Sequence, residues 1–178
     1  MAGIRILYDQ GVVVMKKVFI CLAMLTFVSA QAKSENSIVN LAKKNGFHTC
    51  LPQLKISSEF IINDKVHSTH SFWNQEDPDN STYSSLSVKD YSDGDSHVIV
   101  AAAQTSSGKC DTFYVETFVL TKSCTVAREE TFTNLKYAGQ LNQNTLLLQN
   151  DSKSVNVYLT PQNDSLCLVS KKESLYQN

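Results

Sequence analysis

The chain has 178 residues, 42% of them hydrophobic and 19% charged, with a formal net charge of −1 at pH 7. That length can bury a core of ordinary domain size, and the near-neutral balance argues against a nucleic-acid partner, which draws on clustered Lys and Arg. No Gly-x-Ser-x-Gly elbow, nucleotide loop or internal repeat is present, so no common catalytic motif announces a reaction.

Residues 1–14 carry no export feature, and we read them as a spurious extension ahead of a native start at Met15. From there the chain runs Met15-Lys16-Lys17, then VFICLAMLTFV, then Ser29-Ala30-Gln31-Ala32. A positive start, a short apolar stretch and an Ala-x-Ala end are the marks of a signal peptide over 15–32, cleaved after Ala32. The apolar run is shorter than the roughly 20 residues a membrane-spanning helix needs. Cys21 lies inside it, too early to be a lipidated cleavage cysteine. A soluble periplasmic or secreted product, residues 33–178, is therefore expected. It carries thirteen Lys and Arg against sixteen Asp and Glu.

Residues 35–45 have Ile38, Leu41 and Ala42 at helical spacing, with Ser34 as the expected N-cap and Asn45-Gly46 as the stop. Pro52 is read as barring more helix, so 53–62 is expected to be a strand, and 66–73 a second. Residues 74–82 form a polar loop, 83–91 a strand, and Ser92 to Asp95 a turn. The stretch from His97 to Cys124 is the expected centre of the sheet. The run from Val98 to Ala103 is unbroken and reads as buried on both faces. Ser106 to Lys109 turns the chain, and Phe113 to Val119 is rich in aromatic and β-branched side chains. Beyond Cys124, residues 125–136 are of mixed character and Gly139 marks a turn. Residues 145–148, 155–159 and 166–170 read as a three-strand meander with a turn at 161–164, and 171–178 as a frayed tail. The sum is α+β: a short N-terminal helix packed on a predominantly antiparallel sheet, or a small partly open barrel, stapled by disulfides.

Four cysteines remain after cleavage: Cys50, Cys110, Cys124 and Cys167. An even number in an exported chain implies two bridges. Cys110 and Cys124 bracket one extended strand and so lie tens of ångströms apart, beyond the roughly 7 Å a bridge allows between Cα atoms. Of the remaining pairings, Cys50–Cys110 with Cys124–Cys167 is favoured. Three Asn-x-Ser/Thr triplets begin at Asn80, Asn150 and Asn163. Polar turns generate them by chance, and the Lys-Lys leader has bacterial character, so they are set aside.

The stretch from His67 to Asp79 holds two histidines, the only Trp and three acids. Trp73, Phe72, Asp77 and Asp79 are the candidate binding residues. His67 and His70 are candidate metal ligands, since imidazole with carboxylates suits zinc. Three residues apart on a strand, however, they point to opposite faces. Asp77, Asp79 and Ser81 echo the start of a calcium loop but lack its glycine and final acid. His97 reads as a half-buried strand residue. The function expected is that of a small exported binding or accessory protein without catalysis, an inhibitor or an envelope-associated module. It needs no cofactor, and its partner is a protein or small ligand of the cell envelope. The rival is a metal-dependent hydrolase built on His67, His70, Asp77 and Asp79.

Overall fold

A computed structural model describes residues 36–177; the expected extension, leader and Ser34 cap lie outside them. The first helix, α1 (Ser37–Lys44), starts at Asn36, whose Oδ1 accepts the backbone N–H of Val39 at 3.1 Å. Lys43 and Lys44 close it, with positive charge on the carbonyl end where the helix dipole favours it.

The stretch expected as a strand over 53–62 is a second helix, α2 (Leu51–Ile62). Pro52 does not bar it. In the first turn a proline forgoes only an N–H that would have had no partner in any case. The residues this helix buries, Leu54, Ser57, Ser58, Ile61 and Ile62, recur at helical spacing. Two are serines, while Ile56 and Phe60 are each 63% exposed. An apolar count therefore sees no helical stripe.

Then come β1 (His67–Phe72), β2 (Tyr83–Lys89), β3 (Ser96–Gln104) and β4 (Cys110–Leu120), an antiparallel meander. The β3–β4 hairpin turns at Gly108, whose φ of +79° is a conformation that costs glycine little. The expected two-sided burial of 98–103 holds only at Ala101 and Ala102. Ser96, Val98 and Val100 are buried, while His97 and Ile99 between them are exposed.

A third helix, α3 (Cys124–Glu130), occupies the stretch read as mixed; Ser123 caps it, its Oγ accepting the Val126 N–H. The second meander is β5 (Lys136–Leu141), β6 (Thr145–Gln149), β7 (Val155–Asn163) and β8 (Leu166–Leu175). Gly139 lies inside β5, where the register with β6 shifts, and so marks a bulge within a strand, not a turn. The turn expected at 161–164 is tighter, because β7 carries on through Pro161 to Asn163. Nor is the tail frayed throughout: residues 171–175 continue β8, paired with 112–116 of β4.

The strand order is β1-β2-β3-β4-β8-β7-β6-β5, an eight-stranded antiparallel sheet. Among the described residues β1 and β5 are its two edges, so the sheet is open. Side-chain alternation along β4 and its register with β8 put all three helices on the same face. Ile38 of α1, Leu54 and Ile62 of α2 and Phe47 between them pack on Tyr83, Val98, Val100 and Tyr114 of the sheet. Ala127 of α3 packs on Leu148, Val157, Leu159 and Val169.

Each core carries a disulfide. Cys50, at the start of α2, is bonded to Cys110 at the start of β4, with Cα atoms 5.6 Å apart. Cys124, at the start of α3, is bonded to Cys167 in β8, at 4.9 Å. A buried ion pair adds a polar clamp at the other end of α2. Lys89 Nζ donates to Glu116 Oε1 at 2.7 Å and to the Ile61 carbonyl at 2.8 Å, and Ser96 Oγ donates to the same carboxylate at 2.9 Å. With its donors so engaged, the lysine meets the hydrogen-bonding demand of burial.

Candidate functional site

His67 and His70 lie on β1 and, as strand alternation requires, face opposite sides of the sheet. His67 is on the helix side with both ring nitrogens engaged. Nδ1 donates to the Lys65 carbonyl at 2.9 Å, and Nε2 lies 2.8 Å from Ser37 Oγ. Ser37 Oγ also lies 2.6 Å from Thr69 Oγ1, so the histidine belongs to a polar seam fixing α1 to the edge strand. His70 is exposed on the other face, its ring 4.6 Å from that of Phe72. Among the described residues no three His, Cys, Asp or Glu side chains converge as a metal ion would require.

The acidic loop divides in the same way. Asp77 accepts a hydrogen bond from the Asn80 amide at 2.9 Å within its own turn. Asp79 accepts the backbone N–H groups of His48 and of Thr49, the latter at 2.8 Å. Those two hydrogen bonds, that from His48 foremost, hold its carboxyl below the usual Asp range. Asp79 thus clamps the loop to the α1–α2 connection. Trp73 packs partly buried against the α1–α2 core and anchors the same loop. Of the four candidate binding residues, Phe72 is the one large apolar side chain left open, at 51% exposure.

Phe72 leads to a surface that the sequence did not single out. With all three helices on one side, the opposite side of β1–β4 and β8 has no covering layer among the described residues. One cross-strand row there reads His70, Leu86, Ile99, Val115, Lys172 and Asn156, from β1 through β8 to β7. The next row reads Phe72, Ser84, Ala101, Phe113 and Ser174. Ile99 is 41% exposed and Phe113 38%. Beside them is a recess of about 270 Å³, whose lining includes Ala101, Ala103, Phe113 and Tyr176 and carries one charge of each sign, Lys172 and Asp111. The small side chains of β3 lower its floor. The Lys172 ammonium lies 5.4 Å from the centre of the Phe113 ring, within reach of a cation–π contact. The unbroken run of β3 reads in the sequence as buried on both faces, so it is the placement of the helices that says which face stays open.

On the helix face, Tyr114 OH donates to Glu173 Oε2 at 2.5 Å. Burial, with that carboxylate beside it, pushes the phenol far above its usual range. The group is a fixed donor, unsuited to acid–base exchange near neutral pH.

Comparison with known proteins gives no match to a family model, to a curated protein or to a solved structure.

Proposed function

We propose that this chain is a small exported binding or accessory protein that works without catalysis, and that its contact surface is the uncovered face of β1–β4 and β8. The observation that carries the reading is the row Leu86, Ile99 and Val115, flanked by Phe72 and Phe113. Large apolar side chains of four neighbouring strands lie side by side there, which supports reading the face as a contact surface. The reading for a periplasmic or secreted home rests on the leader-like residues 15–32. The two disulfides are compatible with it, as such bonds persist in oxidising compartments. Among the described residues no helix is long and apolar enough to cross a membrane. The partner is a protein or a small ligand of the cell envelope.

A photo-crosslinking side chain placed at Ile99, and separately at exposed Glu129 on α3, tests the face in cells that export the protein. Benzophenone inserts into protein and small-molecule C–H bonds alike, so intact mass reads either kind of adduct. A discrete adduct from position 99 and none from 129 is expected. The same pattern from both positions, or none from either, would sink the reading. Stoichiometric zinc in the purified protein would move the case to the hydrolase reading.

A further inference from the structure

The row from His70 to Asn156 changes character halfway. It is apolar at Leu86, Ile99 and Val115, then polar at Lys172 and Asn156, and the Asn156 side chain accepts from Gln149 at 2.7 Å. Lys172 therefore stands at the head of an apolar track. Among the described residues its ammonium has no carboxylate partner, only the Phe113 ring beneath it. Three strand spacings separate β8 from β2, about 14 Å. An extended chain advances about 1.2 Å per bond, so the track matches about a dozen bonds of alkyl chain.

Area decides between a protein and a small molecule. The apolar rows Leu86–Ile99–Val115 and Ala101–Phe113 cover on the order of 200 Å², taking strand spacing and rise together. A stable protein contact needs about 800 Å² from each partner. On the other side the next row, Val88, His97, Thr117 and Ser170, is polar on β3, β4 and β8. A narrow apolar strip with one cation at its end fits a single amphiphile with an anionic head.

We propose that this face binds one long-chain carboxylate, its head on Lys172 and its alkyl chain laid across β4, β3 and β2 over Val115, Ile99 and Leu86. This inference rests on reading the uncovered face as a contact surface, and it names the ligand class of that surface.

Dodecanoate and dodecyltrimethylammonium, which share a chain length and carry opposite heads, are the probes. Calorimetric titration of the mature protein, with both probes below their micelle thresholds, reads affinity and stoichiometry. One dodecanoate per chain is expected, with the ammonium probe about tenfold weaker. Lys172→Gln should weaken dodecanoate about threefold, the range of a partly exposed ion pair, and narrow the gap between heads. Ile99→Glu should remove binding of both, and its circular dichroism should match the parent because the site is on the surface. Equal affinity for the two heads, an unchanged Lys172→Gln, or no saturable binding would overturn the proposal. If dodecanoate fails while position 99 crosslinks to a protein, the contact surface stands and the ligand class falls. If both fail, the surface reading falls with it.

Discussion

Asp79 reads in the sequence as a binding acid, and its partners explain why it is a clamp. The amides of His48 and Thr49 lie 31 and 30 positions earlier in the chain, a separation that leaves no local mark. Its carboxyl pKa is lowered in the folded state, so the stabilisation is complete above the unfolded Asp value of about 4 and fades as pH falls through the folded value. Asp79→Ala should cost about 1 kcal/mol at pH 7, the size of a lost cap. Urea unfolding of parent and variant should show that difference shrinking below about pH 4, and a difference constant from pH 7 to pH 3 would refute the clamp. His67 carries the same lesson. Imidazoles near acids are metal-like in sequence, yet here both ring nitrogens are committed to Lys65 and Ser37.

At the scale of elements, the hairpin around Gly108 and the strands β6, β7 and β8 were legible from their apolar and β-branched runs and clear turns, while β5, whose Gly139 reads as a turn, was not. The helix α2 was not, because its buried stripe is interrupted by Ser57 and Ser58. Both are polar contacts rather than apolar ones: Ser57 Oγ lies 2.6 Å from Thr112 Oγ1, and Ser58 Oγ accepts from the Asn36 amide. A helix docked partly through hydroxyls draws less on hydrophobic burial, and its covalent tether matters correspondingly more. Removing the Cys50–Cys110 bridge by replacing both residues with Ala releases a loop spanning 60 positions. On the chain-entropy account that should lower stability by about 4 kcal/mol. Chemical denaturation would measure it, and a loss under 1 kcal/mol would show that the packing of α2 suffices alone.

For the whole molecule, the decisive contact is β4 against β8, which joins the two meanders into one sheet. Sequence patterns report turns between neighbours; a pairing of Thr112–Leu120 with Cys167–Leu175 lies between distant segments, and so the end of the chain looks loose in the sequence. Being central and flanked on both sides, β4 and β8 should exchange their amide hydrogens slowest, while the edges β1 and β5 exchange fastest. Hydrogen exchange read by mass spectrometry checks this, with the 171–175 peptide as the sharpest test. Exchange there as fast as in β5 would return that segment to a frayed tail.

The two disulfides close separate loops, neither enclosing nor crossing the other. On the proposed reading, in which the chain is exported and Cys21 leaves with a leader, the four remaining thiols pair in the order in which passage across a membrane would deliver them, first with second and third with fourth. An oxidant that simply joins each emerging thiol to the next therefore makes the native bonds. Maturation of such a chain calls for oxidation but not for reshuffling, and its yield should follow the supply of the former alone.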